Sequence, residues 1–379
     1  MRASTRSAVD PFIVMDVMEA ARRKEADGHR VIHMEVGQPG TPAPQGARRA
    51  LAAALEGAPL GYTVALGLPE LRQRIARLYA ECYGVDLNPD RVIVTPGASG
   101  GFILAFTALF EAGEEVGLGL PGYPSYRHIL KALSLTAVGL PTRAEHRFQP
   151  VPEDVPEGLS GLIVASPANP TGTMLGRGAL AALIERCRDT GAAFIADEIY
   201  HGLHYESRAV SALEIADDLV VVNSFSKYFS MTGWRVGWLV VPETAIRTYE
   251  RLAQNLFICP PHASQIAALA AMDCAEELDG NRAVYAENRR LMLDGLPAAG
   301  VPSFAPPDGA FYAYVDVSDF TDDSRALAAR ILDEAGVAVT PGLDFDPARG
   351  GHMLRLSYAA ATADIAEGLE RLKSFFARI

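Results

Sequence analysis

The sequence predicts an α/β fold: a mainly parallel seven-stranded sheet sandwiched by helices in a large domain, with a smaller α+β domain beside it. Two observations carry this. Seven short apolar runs recur through the first two thirds of the chain, and amphipathic stretches of helical spacing separate them. That is the pattern of strands covered on both faces by crossover helices. After about residue 275 a long charged helical stretch leads into strands and helices of a different order, as expected of a separate α+β unit. The expected division is 40–275 for the large domain and 1–39 plus 276–379 for the small one. With 379 residues, 49% hydrophobic and 21% charged, the chain is long and apolar enough to bury both cores.

Taken in order, Asp10-Pro11 reads as a helix start, with Asp as cap and Pro in the first turn, and the helix runs to Gly28. "GQPGTPAP" (37–44) is too rich in Pro and Gly for regular structure. The seven runs are "RVIVT" (91–95), "EEVGLGL" (114–120), "LTAVGL" (135–140), "GLIVAS" (161–166), "AAFIAD" (192–197), "DLVVVNS" (218–224) and "GWLVV" (237–241). Helical spacing marks 101–112, 125–133 and 176–190 between them. The last third offers a helix over 274–295, "GAFYAYVDV", a helix over 324–335, "GVAVTPG", "HMLRLSYA" and a final helix from about 362.

Composition narrows the functional classes. A net charge of −12 opposes a general affinity for nucleic acid or anionic membrane. Four scattered cysteines (Cys82, Cys187, Cys259, Cys274) form no C-x-x-C pair, and the eight histidines show no metal spacing. No segment reads as a signal peptide or membrane span, so the expectation is a soluble, cytoplasmic protein. "GLGLPG" (117–122) matches the dinucleotide pattern G-x-G-x-x-G. Its first two glycines fall inside an apolar run, and Pro121 follows, so it is read as a coincidence.

Ligands of parallel α/β sheets gather at the carboxyl ends of strands. Four such ends here run into "PGASGG", "PANPTGT", "EIYHG" and "FSKYFSMTGWR". They would place Ser99, Asn169, Asp197, Tyr200, Ser224, Ser226, Lys227 and Arg235 on one rim. Lys227 lies among aromatic residues just after a buried run. It is either a solvated loop residue or an amine held inside for chemistry. The set fits pyridoxal phosphate. Lys227 suits the aldehyde, and Asp197 suits the pyridine nitrogen, with Asn169 and Tyr200 for the phenolic oxygen. A helix start at "GASGG" with Arg235 suits the phosphate.

With those residues in place, the chain resembles the class I/II aminotransferases, pyridoxal-phosphate enzymes of fold type I (aspartate, alanine and aromatic aminotransferases among them). The likeness runs from "GQPGTPAP" through "GYTVALGLPELR", "TPGASGG", "PGYPSY", "SPANPTGT", "ADEIY", "SFSKYFSMTGWRVGW" and "PDGAFY" to "MLRLSYA". It implies that Lys227 resembles the Schiff-base lysine and Asp197 the pyridinium partner. By the same resemblance Asn169 and Tyr200 meet the phenolic oxygen and Tyr123 stacks on the cofactor. Ala98, Ser99, Ser224, Ser226 and Arg235 match phosphate contacts. Tyr62 resembles a tyrosine that reaches the neighbouring subunit's phosphate, which implies a homodimer. Arg355 resembles the arginine that grips the substrate α-carboxylate, aided by Asn169 and the backbone near Gly37.

The expected reaction is reversible transfer of an α-amino group between an L-amino acid and a 2-oxo acid. Ser99 cannot pair with a distal carboxylate as a cation would, so apolar, aromatic or alanine-type substrates stand open beside dicarboxylates. Two rival readings share the residues: a carbon–sulfur β-lyase of the same fold, and a regulator that senses pyridoxal phosphate. Each position also has an ordinary structural reading. Asp197 could cap a helix, Asn169 could be a turn residue, Arg235 could pair with a surface carboxylate and Arg355 could lie on a solvated strand face. Tyr123, Tyr62 and Phe311 could be core aromatics.

Overall fold

The computed structural model describes residues 2–57 and 59–379. Its main sheet has seven strands: β1 (Val92–Thr95), β2 (Glu115–Leu120), β3 (Thr136–Pro141), β4 (Gly161–Ala165), β5 (Ala193–Asp197), β6 (Val220–Ser224) and β7 (Gly237–Val240). They lie in the order β1-β7-β6-β5-β4-β2-β3, and all seven coincide with the apolar runs. Every pairing is parallel except those of β7, which runs antiparallel to both β1 and β6. Because β7 is reversed, its first residue, Gly237, pairs with Thr95 and Ser224 at the carboxyl ends of its neighbours. The loop before β7 therefore opens on the same rim as the loops after β1 and β6.

The runs lack polar alternation because both faces of the sheet are covered. Leu162, Val164, Phe194, Val221 and Trp238 face one apolar core with the helices Pro69–Tyr83 and Arg177–Thr190. Their neighbours Ile163, Ile195, Val220, Val222 and Leu239 face a second core with the helix Gly97–Leu109. Successive side chains of a strand point to opposite faces, so two-sided burial demands an apolar residue at nearly every position. Each fully buried aliphatic side chain contributes about 1.5–3 kcal/mol of transfer free energy.

A second sheet is antiparallel and orders β8 (Tyr312–Asp316), β9 (Thr340–Pro341) and β10 (Met353–Ser357) as β9-β10-β8. The helices Ala275–Ala298 and Thr362–Phe376 pack on it through a core that includes Tyr285, Met292, Leu354, Leu356 and Phe375. Ile32 and Met34 join this core, and Ile32–His33 pairs in parallel with Val337–Ala338. Among the described residues no helix is long and apolar enough to cross a membrane.

Three expectations are corrected. The first helix spans Ile13–Ala26, and Asp10 does not cap it. Its first N–H groups, from Ile13 and Val14, go instead to the two carboxylate oxygens of Asp344, each at 3.3 Å. The helix expected over 101–112 begins at Gly97, because the glycine-rich turn is itself helical. The helix over 324–335 is regular only to Arg330 and widens into a π turn over Ile331–Ala335. Gly117 and Gly119 of "GLGLPG" lie within β2, and the next helix starts only at Pro124.

Candidate active site

The rim at the carboxyl ends of β1, β4, β5 and β6 gathers most of the residues singled out from sequence. Asp197 ends β5 and is buried. One of its oxygens accepts the backbone N–H of Ile199 at 3.0 Å, and the other accepts the hydroxyl of Tyr126. Burial raises its carboxyl to about 6, against the lowering effect of Tyr126, the Ile199 N–H and Lys227.

Lys227 follows β6, and its Nζ donates to the carbonyl of Gly37 at 2.5 Å. The amine also lies over the rings of Tyr200 and Phe311, at 5.6 and 5.9 Å from their centroids. Desolvation, then the positive charges of Arg355 and Arg235, lower its pKa to about 7, while Asp197 opposes them. The solvated-loop reading therefore does not hold for this amine.

The residues expected at the phosphate include those of a helix start. Ala98 and Ser99 lie in the first turn of Gly97–Leu109, where backbone N–H groups have no partner within the helix and no side chain caps them. Ser224 Oγ donates to Ser226 Oγ at 2.8 Å and accepts the Ser226 N–H at 3.0 Å. Arg235 stands in the left-handed region at φ 51°, a strained conformation for a side-chain-bearing residue, and its Nη1 donates to the Thr232 carbonyl at 2.9 Å. A Cβ on Gly97 would come within 2.3 Å of Arg235 Nη2. Gly97, itself at φ +73°, is thus needed both for its backbone and for the approach of this guanidinium.

Arg355, expected at the substrate carboxylate, meets this rim through Asn169. It lies in β10 and is buried, contrary to a solvated strand face. Its Nη1 donates to Asn169 Oδ1 at 3.0 Å, and its Nη2 to the Glu35 carbonyl and to Thr340 Oγ1, the latter at 3.3 Å. The guanidinium is held between the rings of Tyr312 and Phe345, 4.5 and 4.6 Å from their centroids. Its Nε is buried without a partner among the described residues. Tyr200 and Tyr312 share a hydrogen bond between hydroxyls at 2.8 Å. Tyr123 packs edge-on against Tyr126, with centroids 5.3 Å apart.

Tyr62 is not part of this cluster. It is 83% exposed, on a segment held by hydrogen bonds from His262 to the Gly61 carbonyl and from Gln265 to Thr63. Sequence reasoning missed Tyr126, Tyr312, Phe345 and Thr340. Tyr126 and Tyr312 sit inside the quoted stretches "PGYPSY" and "PDGAFY", but an aromatic beside a buried run carries no mark that distinguishes a site residue from core. No group of metal-ligating side chains occurs among the described residues.

These residues fit pyridoxal phosphate. A buried carboxyl, an amine of depressed pKa, a helix start beside a guanidinium and an orphaned Arg355 Nε meet at one rim. The comparisons agree. Residues 29–372 match the family model "Aminotransferase class I and II". A valine–pyruvate aminotransferase of Mycobacterium tuberculosis is 48% identical over 99% of this chain and 98% of its own length. A crystal structure of an aminotransferase from Mycobacterium tuberculosis superposes with a TM-score of 0.98 at 47% identity, covering 100% of both chains. The aspartate aminotransferase of Thermus thermophilus with maleate gives 0.92 at 31% identity, over 99% of this chain and 100% of that one. With matches of that extent, the chain belongs to the class I and II aminotransferases, pyridoxal-phosphate enzymes that move an α-amino group between an amino acid and a 2-oxo acid.

Proposed function

We propose that this enzyme transfers the amino group of an aliphatic, valine-like L-amino acid to a small 2-oxo acid such as pyruvate. The observation that carries the reading is Arg355, buried between two aromatic rings beside Asn169, with a donor to spare and the neutral-prone amine of Lys227 in the same cleft. An arginine so held is suited to a planar carboxylate. The aliphatic preference is supported by the name of the valine–pyruvate relative and by Ser99, which offers no cation to a second carboxylate. The relatives named above are aminotransferases, which leaves the β-lyase and regulator readings without support.

The bound cofactor supplies a carbonyl carbon that takes the amino group and a ring that accepts the electron pair released from the substrate Cα. The protein's part is positioning and proton transfer. Asp197, braced by Tyr126 and the Ile199 N–H, would hold the ring nitrogen protonated. Asn169 and Tyr200 would hold the phenolic oxygen, and Tyr123 would support the ring. The Ala98–Ser99 turn, Ser224, Ser226 and Arg235 would bind the phosphate. Arg355, Asn169 and the backbone at Gly37 would fix the substrate carboxylate, and Lys227 Nζ would carry the Cα proton.

The enzyme is read as a homodimer. Tyr62 is 83% exposed, with Val64, Leu256 and Ile258 also exposed, and this tyrosine would complete the partner's phosphate site. Light scattering that finds only monomers would remove that part. The division into 40–275 and 1–39 plus 276–379 is supported by the distinct cores of the two sheets, which meet where Tyr200 and Leu203 enter the second and Leu278 the first, and the four free cysteines suit the cytoplasm.

The test is a panel of single amino acids added to the cofactor-loaded enzyme without acceptor, followed by absorbance. Valine should convert the cofactor to its amine form at least about tenfold faster than aspartate, the discrimination a well-fitted apolar pocket achieves. Faster conversion by aspartate would replace the aliphatic assignment with a dicarboxylate one. Pyruvate, ammonia and thiol released from a sulfur-containing amino acid over many turnovers without any acceptor would restore the lyase.

A further inference from the structure

We propose that Asp344 is a positioning residue for the substrate side chain, an inference that rests on the reading of Arg355 as the carboxylate site. Its carboxylate caps the first helix through the Ile13 and Val14 N–H groups, 331 and 330 residues away in sequence. Asp344 is fully buried, and a carboxylate at a helix N-terminus is favoured by the helix dipole as well as by the two hydrogen bonds.

The next residue joins this cap to the site. The Phe345 ring packs 4.6 Å from the Arg355 guanidinium, and the Phe345 carbonyl accepts the Gly122 N–H at 3.0 Å. Gly122 in turn precedes Tyr123. Phe12, the residue just before the capped helix, meets the Tyr123 ring edge-on at 6.0 Å and 74°. Asp344 and Phe345 thus tie three parts together: the start of the first helix, the Tyr123 loop and the arginine. Holding the helix start sets Phe12 against Tyr123, where it gives a branched apolar side chain a wall that alanine is too short to reach. Asp344 touches neither the substrate nor the cofactor, so its action is through Phe12.

The experiment compares Asp344→Ala, Asp344→Asn, Phe12→Ala and the Asp344→Ala/Phe12→Ala double variant, as full-length enzyme with saturating pyridoxal phosphate. A lost apolar contact to one or two methyl groups changes affinity by about five- to tenfold. Asp344→Ala and Phe12→Ala are each expected to raise KM for valine by about that factor, with kcat within about twofold and KM for alanine little changed. The double variant should be no worse than either single one, since both act on one contact. Asp344→Asn keeps one acceptor oxygen and should recover part of the loss, and it carries the test if the alanine variant does not fold. Amide hydrogen exchange over residues 13–18 should be faster in Asp344→Ala than in the wild type, because the first turn of the uncapped helix frays.

An unchanged KM for valine, additive effects in the double variant, or unaltered exchange over residues 13–18 would each overturn the proposal. If the wild type transaminates neither valine nor alanine, the aliphatic-substrate reading fails. The exchange result then still decides whether Asp344 holds the helix.

Discussion

Lys227→Ala is expected to fold but to lose turnover by about 10²–10⁴-fold or more, the range set by removal of a positioned general base, with further loss from the missing covalent anchor. The measurement is single-turnover absorbance with a good amino-acid substrate, alongside circular dichroism to confirm the fold. Wild-type turnover in this variant would end the assignment of Lys227. The same amine yields a pH expectation. Desolvation and the Arg355 and Arg235 charges place its pKa at about 7, and only its neutral form is a nucleophile or base. The rate at which the cofactor-free enzyme captures pyridoxal phosphate should therefore rise with pH, reach half its limit near 7 and flatten above it. An inflection near the ordinary lysine value of about 10.4 would mean that the amine is solvated.

Arg355→Ala is expected to raise KM for both the amino acid and the 2-oxo acid by about 10²-fold. Two charge-assisted hydrogen bonds of about 1.5–3 kcal/mol each are lost, and part of that is offset by water entering the vacated space. The visible absorbance of the bound cofactor should persist, since neither Asp197 nor the helix start at Gly97 touches this arginine through a hydrogen bond. Arg355→Lys should not restore affinity, because an ammonium cannot fill the planar slot between Tyr312 and Phe345 or donate in parallel. Loss of the cofactor in Arg355→Ala would show that the carboxylate site lies elsewhere.

The large sheet was legible in the sequence because burial on both faces leaves continuous apolar runs, and all seven proved to be strands. The long helix after residue 274 was legible for its spacing. The start of the first helix was not. Asp10-Pro11 offers a good local cap, but Asp344 supplies the real one from the far end of the chain, and no local pattern announces a partner 331 residues away. The site divides in the same way. Lys227, Asp197 and Asn169 stand out because a polar residue interrupts or ends an apolar run. Tyr126, Tyr312 and Phe345 do not, since their roles lie in which side chain they meet, and an aromatic surrounded by apolar residues looks like core in any register. Arg355 was reached only through resemblance. The alternation of "HMLRLSY" alone would have sent it to solvent.

The pairing of Ile32–His33 with Val337–Ala338 has a consequence for translation. The two segments are 305 positions apart, and at about 5–20 residues per second the ribosome delivers the second roughly 15–60 s after the first. All seven strands of the main sheet have been synthesised by Val240, so that sheet can assemble while the N-terminal strand still waits. Asn169 and Glu35 likewise wait for Arg355, over 186 and 320 residues. Such long closures come late in folding. A nascent chain stalled before Arg355 would carry the cofactor rim without the substrate grip, and would expose an unpaired strand to whatever holdase or neighbouring chain it met first.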